Sequence, residues 1–171
     1  MFSVDRPPVH GIYGHQTPQR PPMSDLRQTR RSLPIALLRA RETVMEPIRE
    51  MLATSGVNEQ KWRVLRILEE QGPMELSLLA RDACLILSSL TRMVRPLEDE
   101  GLVTRSTPPD DRRKSVLAIT AAGVALIKAH SAVSAGIFQQ IEAAFGKHRL
   151  ETLLDLLEDL QKIDLSRNRR G

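Results

Sequence analysis

Aromatic residues and cysteine are scarce in this sequence. Aromatic side chains make up 3% of the 171 residues, so the hydrophobic core must be aliphatic and built chiefly from leucine. The single cysteine, Cys84, excludes an intrachain disulfide and fits a reducing compartment. No apolar run approaches the length of a membrane span, and the N-terminus lacks the charged-then-apolar pattern of a signal peptide. These absences predict a cytoplasmic protein without a membrane partner.

The usual patterns of catalysis and cofactor binding are also missing. The histidines show no metal-ligand spacing, and the sequence contains neither an H-E-x-x-H nor a C-x-x-C motif. A glycine-rich phosphate loop is absent as well. We therefore expect no metal, no cofactor and no enzymatic activity. The histidines in question are His10, His15, His130 and His148.

The charge balance permits a polyanionic partner without requiring one. Lysine and arginine number 25 against 21 acidic residues, which gives a net charge of +4. The hydrophobic fraction of 41% and the charged fraction of 27% are ordinary for a globular protein. The length fits one domain with extensions, so a basic surface must be sought in particular segments rather than in the total.

The two ends of the chain are predicted to lack regular structure. Residues 1–22 contain five of the eleven prolines and no apolar periodicity, and we take residues 1–31 as a disordered leader. Met1 and Met23 both stand as possible start sites. Residues 166–171 are taken as a flexible tail.

Residues 32–57 predict the first helix. Ser32 is placed at its N-cap and Pro34 in its first turn, and Gly56 is expected to end it. Pro47 should bend or break this helix near Thr43, because proline lacks the N–H that the carbonyl of Thr43 would accept.

Residues 58–120 predict a helix, a short extended step, two further helices and a β-hairpin. Asn58 caps the first of these helices and Gly72 ends it, whereas Ser77 is expected to cap the next. The alternating segments "LVTRS" and "RRKSVLAIT" flank a turn and predict the hairpin. This order is typical of a winged helix-turn-helix, so the predicted fold is mainly α with a small β-hairpin. The residues expected to point inward are Trp62, Leu65, Leu68, Leu79, Ala80 and Ala83.

The segment "SSLTRMVRPLEDEGLV", residues 88–103, has the two faces of a recognition helix. Its apolar stripe would dock on the domain, and the opposite face would meet the DNA major groove. Pro96 falls past that contact face, where a kink would tilt only the last turn. The alternative is that the two arginines simply solvate a helix surface. The apolar stripe is Leu90, Met93, Val94 and Leu97, and the opposite face carries Ser88, Thr91, Arg92 and Arg95.

The predicted hairpin tip, "PPDDRRKS", carries three consecutive cations, Arg112, Arg113 and Lys114. A carboxylate next to an arginine can fix the guanidinium by a bidentate pair and aim it. A narrow A·T-rich minor groove is where such an arginine gains most. The alternative interpretation is an ordinary charged loop.

Residues 121–165 predict two helices separated at Gly146. Each carries a narrow apolar seam, and together the seams expose more apolar edge than one small domain covers. We therefore expect the helices to pack on each other and on a second copy of the chain. The seams are Leu126, Val133, Ile137, Ile141 and Ala144, followed by Leu150, Leu153, Leu154, Leu157 and Leu160.

The residues from Gly72 to Gly123 resemble the winged-helix core of the MarR family of bacterial transcription regulators. The resemblance is carried by the "LT…LE..GLV" frame of the recognition helix, the Asp111-x-Arg113 wing and the "IT.AG" entry to the fifth helix. Further stretches, such as "SLPIALLRARE" and "IEAAFG", are similar to the branch that controls homoprotocatechuate (4-hydroxyphenylacetate) degradation operons.

The resemblance implies a homodimer built from the first, fifth and sixth helices. Such a dimer would repress a promoter by binding double-stranded operator DNA until a small phenolic acid binds. It also implies that Asp111 orients Arg113 toward the minor groove and that Ser89 joins the major-groove face. Ser88 and Ser89 replace the Pro-Ser pair usual in that branch. Ile86 replaces a common aspartate cap, which leaves the helix start to Ser88 or to no cap.

A ligand site is predicted less sharply than the DNA-binding face. Arg39, Arg41, Trp62 and Arg66 would form a cradle for an aromatic carboxylate, with an ion pair at one end and ring contact at the other. The alternative is that Arg41 pairs with Glu42 or another acid and that Trp62 is a core residue.

Two other functions stay open at this point. A redox-responsive regulator would use Cys84, although its apolar neighbours favour a buried and inert thiol. A winged helix used only for protein contacts, without DNA, is the third interpretation.

Overall fold

The computed structural model describes residues 31–108 and 114–164. The predicted leader, apart from Arg31, and the tail at 166–171 lie outside these residues. Within them the fold is mainly helical with one small sheet, as predicted. The elements in order are α1 Leu33–Leu52, α2 Glu59–Gln71, β1 Met74–Glu75, α3 Leu76–Asp82, α4 Leu87–Asp99, β2 Val103–Ser106, β3 Val116–Ile119, α5 Ala121–Phe145 and α6 Lys147–Gln161.

The chain divides at Leu38 into two compact units. In the first unit, α1 starts with a hydrogen bond from the N–H of Ala36 to the carbonyl of Ser32, at 2.9 Å. Leu33 and Leu37 are exposed there. The second unit starts at Arg39 and contains the rest of α1 and all later elements.

The predicted hairpin is confirmed and is part of a three-stranded antiparallel sheet. Strands β2 and β3 pair in a register that sets Val103 opposite Ile119 and Ser106 opposite Val116. The predicted extended step is β1, which pairs with the other edge of β3 and sets Met74 opposite Leu117. Leu117, on the central strand, is fully buried and joins the sheet to the helical core.

The predicted break at Pro47 is wrong, because α1 continues through it to Leu52. Proline removes one hydrogen bond and costs about 3 kcal/mol inside a helix. The residue that loses its donor is Thr43, which is exposed, so water can hydrate its carbonyl. Ile48 and Leu52 bury one face of the last turns in the core, and this packing outweighs the local penalty. Gly56, with φ of +68°, ends the turns that follow the helix.

The predicted limits of α2 are confirmed. The side-chain Oδ1 of Asn58 accepts a hydrogen bond from the N–H of Lys61 at 2.9 Å, which satisfies one of the open donors at the helix start. At the other end, Gly72 adopts φ of +80° and its N–H donates to Leu68. Trp62 and Leu65 are buried as predicted, so this helix contributes one face to the core.

Ser77 does not cap α3, contrary to the prediction. The helix starts two residues earlier than predicted, at Leu76, and its N-cap residue is Glu75, whose side chain makes no capping hydrogen bond. The sheet fixes this start instead, since the N–H of Leu76 donates to the carbonyl of Ser115 at 2.9 Å. The inward residues Leu79, Ala80 and Ala83 are buried as predicted.

The expectation of a buried thiol at Cys84 is also wrong. Cys84 is exposed and lies in the turn between α3 and α4 with φ of +51°. A left-handed backbone is rare for a residue with a side chain, and here it turns the side chain away from the core. Its neighbour Ala83 takes the buried position.

The core is aliphatic, as the scarcity of aromatic residues predicts. It is formed by the five helices α1 to α5 and the sheet, and Trp62 is the one aromatic residue among the buried hydrophobic residues that the structure describes. The recognition helix therefore rests on closely packed leucines. The fully buried larger side chains are Leu52, Val64, Leu65, Leu68, Leu79, Leu90, Val94, Leu97 and Leu117.

The predicted separation of α5 and α6 at Gly146 is confirmed, with φ of +94° at that glycine. None of the α6 side chains, all within the described range 114–164, is buried. Leu153, Leu154 and Leu156 are exposed. An apolar cavity of about 390 Å³ opens between α1, α5 and α6. This region exposes the apolar surface that the two seams predict.

Helix α5 corrects the expectation that no stretch approaches a membrane span. By length and composition alone this helix of 25 residues, with a mean hydropathy of 1.4 in an 18-residue window, suffices to cross a bilayer. A single helix of this kind is weak evidence for a membrane span, since soluble proteins use similar helices in their cores. Here Ile127 and Ile137 are buried, but only 17% of the apolar window is buried in the described chain. The polar residues Lys128 and His130 interrupt the apolar sequence.

Candidate nucleic-acid interface

Helix α4 has the two faces predicted for a recognition helix. Its inward stripe, Leu90, Val94 and Leu97, is buried to within 1% exposure. The predicted contact residues Ser88, Thr91, Arg92 and Arg95 are exposed, whereas Ser89 is half-buried. The apolar stripe thus anchors the helix and leaves a polar, positively charged face toward solvent.

The two arginines of this face make only weak contacts within the chain. Arg95 is 86% exposed, and its Nε lies 3.9 Å from Oδ2 of Asp99. The Nε of Arg92 donates to the carbonyl of Ser88 at a long 3.4 Å. Exposed pairs of this kind contribute little to stability, so both guanidinium groups are available to an external anion.

Thr91 contributes a hydroxyl whose orientation is fixed. Its Oγ1 donates to the carbonyl of Leu87 at 2.8 Å. The hydroxyl lone pairs remain available to accept a hydrogen bond from a base edge.

Pro96 does not interrupt α4, which is continuous from Leu87 to Asp99. Only the carbonyl of Arg92 loses a helical donor, on the exposed side of the helix. Contact residues up to Arg95 precede the proline, so the basic face is intact. The helix start has no side-chain cap within the described residues, and backbone N–H groups of Ser89 and Leu90 donate to the carbonyl of Ile86 instead.

The predicted wing residues Asp111, Arg112 and Arg113 lie outside the described residues, and their roles stay predictions. Lys114 is described, and its Nζ forms an ion pair with Oε1 of Glu75 at 2.5 Å. Thr91 and Lys114 line one cavity of about 200 Å³, so the base of the wing and the recognition helix open toward the same side of the molecule.

Two ion pairs lie at the C-terminal end of α4. The Nζ of Lys61, on α2, lies 2.5 Å from Oε1 of Glu100, directly after α4. The Nε of Arg105, on β2, lies 4.0 Å from Oε1 of Glu98, a weak and partly exposed pair. The buried stripe, rather than these pairs, therefore fixes the position of α4 on the core.

Arg41 belongs to a different cluster, centred on Glu59. The carboxylate of Glu59, 15% exposed, pairs with Arg41 and also lies 2.6 Å from Nη2 of Arg63 and 3.5 Å from Nη1 of Arg49. Arg41 also pairs with Glu42 at 2.8 Å, the partner that the ion-pair alternative names for this residue. Arg41 is itself half exposed rather than buried in an apolar stripe.

The hydrogen bond that Glu42 accepts from Arg49 lowers the pKa of this carboxyl below its ordinary value. A lowered pKa in the folded state means that the pair stabilises the fold above the ordinary carboxyl pKa. This contribution is lost as the pH falls through the lowered value.

The other predicted ligand residues lie on α2, where Trp62 and Arg66 are placed, and on α1, which carries Arg39. Trp62 and Arg66 follow at i and i+4 on α2 and share a face of the helix. Arg66 is 48% exposed, and its guanidinium lies 3.8 Å from Glu69. Arg39 is exposed on α1.

His130 is a candidate residue that sequence reasoning missed as a ligand partner. Its ring meets Trp62 edge to face, with the ring centroids 5.6 Å apart. Its Nδ1 lies 3.0 Å from the carbonyl of Leu126, which fits a protonated Nδ1 and leaves Nε2 as the acceptor of the neutral ring. No sequence spacing links residues 62 and 130, so only the fold reveals this pair.

Helix α4 buries one apolar stripe, exposes arginines on the opposite face and lies beside a β-hairpin. This arrangement defines a winged-helix DNA-binding protein. Comparison with known proteins identifies its family. Residues 57–115, from just before α2 to just before β3, match the MarR family. The chain is 38% identical over 136 residues to the homoprotocatechuate degradative operon repressor of Escherichia coli, which covers 80% of this chain and 92% of that repressor. The chain therefore belongs to the MarR family of transcriptional regulators, as the resemblance predicts.

Two solved structures share the fold of this chain. The transcriptional regulator PA4135 superposes with a TM-score of 0.75 at 39% identity, covering 78% of this chain and 98% of that one. NadR, solved in complex with 4-hydroxyphenylacetate, superposes with a TM-score of 0.73 at 34% identity, covering 81% and 99%.

Proposed function

We propose that this protein represses an operon for aromatic-acid degradation by binding operator DNA as a homodimer, and that a phenolic acid releases it. The observation that carries the proposal is the exposed face of α4, where Arg92 and Arg95 have only weak partners in the chain. Arginine binds guanine edges in the major groove, and phosphates of the DNA backbone, through parallel hydrogen bonds. In this proposal Arg113, aimed by Asp111, and Arg112 extend the contact to the minor groove, and the protein acts in the cytoplasm as a regulator rather than an enzyme.

The apolar surface of the terminal helices supports the homodimer. Helix α6 exposes leucines along its length, and the cavity between α1, α5 and α6 is lined mainly by apolar side chains. Residues 32–57 and 121–165 are therefore assigned to dimerisation, and residues 58–120 to DNA binding. A two-fold dimer presents two α4 helices to half-sites about one helical turn apart, roughly 34 Å.

The proposed effector site lies beside Trp62, Arg66 and His130. The guanidinium of Arg66 suits the carboxylate of an aromatic acid, and the Trp62 ring offers an apolar contact. The Nε2 of His130 is an acceptor for a phenolic hydroxyl. Arg39 and Arg41 remain part of the predicted cradle, but Arg41 already pairs with two carboxylates. The chemistry of this site, the curated relative and the ligand in NadR point to a compound like 4-hydroxyphenylacetate.

Such a ligand releases DNA only if it binds one conformation of the protein, the one that does not fit the operator, more tightly than it binds the operator-bound conformation. The coupling is reciprocal, so operator DNA must weaken ligand binding by the same factor by which the ligand weakens operator binding.

We expect 4-hydroxyphenylacetate to release the wild-type protein from its operator in a fluorescence anisotropy titration. Arg66→Gln should raise the concentration needed for release by about tenfold or more, because a charge-assisted hydrogen bond is lost. Operator affinity without ligand should stay unchanged. Phenylacetate, which lacks the hydroxyl, should release the protein less effectively.

Arg41→Gln is the matched variant. It also removes one arginine charge, but from the cluster around Glu59 rather than from the proposed effector site. If Arg41→Gln weakens release and Arg66→Gln does not, the ligand binds at the Glu59 cluster instead. If no phenolic acid changes operator affinity, release by a phenolic effector is wrong.

A thiol-switched regulator is the second candidate, and the exposure of Cys84 favours it. The thiol lines an open cavity of about 580 Å³ together with Arg41 and Arg63. Exposure is a condition for reaction with peroxide, since a buried thiol is inert.

If this candidate is right, peroxide should release the wild-type protein from DNA, and Cys84→Ser should abolish that response while leaving operator affinity intact. Anisotropy with and without peroxide, followed by reduction, measures both effects. An equal response of wild type and Cys84→Ser excludes the thiol switch.

A further inference from the structure

Two large apolar side chains lie open to solvent at the start of the recognition helix. Ile86 is 74% exposed and Leu87 is 47% exposed. The following stripe of the same helix, Leu90, Val94 and Leu97, is almost completely buried. Ile86, at the N-cap, lies outside this stripe, whereas Leu87 continues the stripe one turn before Leu90 and forms its exposed end.

The fold itself gives Ile86 no evident role. It occupies the N-cap of α4, where serine, threonine, asparagine or aspartate would accept a hydrogen bond from the first turn. An isoleucine there gives up that stabilisation, and its backbone carbonyl alone receives the N–H groups of Ser89 and Leu90. An apolar residue at this position costs helix stability without burying its side chain in the described part of the chain.

The pair lies at the end of α4 that a recognition helix directs at base edges. Leu87 lines the same small cavity as Thr91 and Lys114. Ser88 and Arg92 continue the exposed face from there. Glu75 and Leu76 also line this cavity, and Glu75 pairs with Lys114. The cation next to the pair on α4 is Arg92, whose weak partner within the chain leaves it open to a polyanion.

In the major groove, an aliphatic side chain has one distinctive apolar partner, the C5-methyl group of thymine. We propose that Ile86 and Leu87 determine operator specificity by packing against thymine methyl groups at one or two positions of each half-site. This inference rests on the proposed function, in which α4 enters the major groove. Contact with the methyl removes apolar surface of both partners from water and so favours thymine over cytosine or uracil.

The test uses an operator duplex selected from a random pool by the full-length protein. Each thymine of a half-site is replaced in turn by uracil, which removes the methyl and keeps every hydrogen-bonding group. We expect one or two positions at which wild-type affinity falls about fourfold for one half-site and about sixteenfold when both are substituted. Ile86→Ala and Leu87→Ala should each bind the thymine duplex more weakly, and the double variant should bind thymine and uracil duplexes equally.

Leu78→Ala is the matched control, since Leu78 is an exposed leucine on the preceding helix α3. This variant should keep the full difference between thymine and uracil. Circular dichroism melting should show that all variants fold, because the substituted side chains are exposed.

The outcomes separate this inference from the function on which it rests. If wild type binds every uracil duplex as tightly as the thymine duplex, the inference is wrong and DNA binding stands. If the double variant keeps the uracil penalty, another residue reads the methyl and the inference is again wrong. If the protein selects no duplex at all, the proposed function fails and the inference fails with it.

Discussion

Gly123→Ala should lower the free energy of unfolding by about 2–3 kcal/mol, which is the cost of overpacking a closely packed site. A Cβ atom at Gly123 would lie 2.4 Å from the carbonyl oxygen of Leu102 and 2.6 Å from Cγ1 of Ile119. The carbonyl cannot easily move away, because it accepts a hydrogen bond from the N–H of Thr120 at 3.0 Å. The N–H of Gly123 is held as well, by the side-chain oxygen of Thr120 at 3.1 Å.

Gly136→Ala is the matched control within α5. A Cβ at Gly136 meets no atom of the described chain within 4 Å, so this substitution should raise stability by about 0.5–1 kcal/mol through the higher helix propensity of alanine. Urea denaturation of both variants at one protein concentration makes the comparison, since dimer stability depends on concentration. Equal effects of the two substitutions would show that the close approach at Gly123 is not needed.

The close approach at Gly123 also matters for DNA binding. It brings the first turn of α5 against Leu102 and Ile119, where the chain leaves the recognition helix and the wing. A larger residue would displace α5 from the base of the hairpin. Loss of stability in Gly123→Ala should therefore be accompanied by loss of operator affinity, even under conditions where the variant remains folded.

Replacing Arg92 and Arg95 together with alanine should weaken operator binding by about 100-fold or more, since each arginine contact to a base or phosphate contributes roughly 1–3 kcal/mol. Both side chains are exposed and weakly paired, so the double variant should melt at nearly the wild-type temperature. Anisotropy with a selected operator measures the affinity, and circular dichroism measures the melting.

The matched control removes two exposed cations from elsewhere, as Lys128→Ala with Lys147→Ala on α5 and α6. If the control weakens binding as much as the arginine variant, net charge alone accounts for the affinity. If neither double variant changes operator affinity, α4 does not contact DNA, and the winged helix serves protein contacts instead.

Local sequence patterns predicted the parts of the fold that depend on local interactions. Asn58 and Gly72 mark the ends of α2 because a cap and a left-handed glycine act within one turn. The stripe of α4 was equally readable, because its period of 3.6 places Leu90, Val94 and Leu97 on one side.

The prediction failed where tertiary packing outweighs a local rule. Pro47 lies inside a continuous helix, since burial of the neighbouring apolar face exceeds the loss of one exposed hydrogen bond. Ser77 is not a cap because pairing between β1 and β3 sets the start of α3. No single-sequence signal reports such competition.

The candidate site was predictable only in part for a related reason. The basic face of α4 follows from one helix, whereas the contact between Trp62 and His130 and the pairing of Arg41 with Glu59 join distant parts of the chain. The exposure of Cys84 depends on a left-handed turn that its apolar neighbours do not indicate.

The central claim is that the basic face of α4 and the wing bind the phosphate backbone and the grooves of DNA. The most direct measurement is the operator affinity of the wild-type homodimer between 50 and 200 mM salt, with the Arg92 and Arg95 double variant alongside. We expect a linear fall of the logarithm of affinity with the logarithm of salt, amounting to about a thousandfold if at least six phosphates are neutralised, and a shallower slope for the variant. An affinity that stays constant across this range would contradict the account.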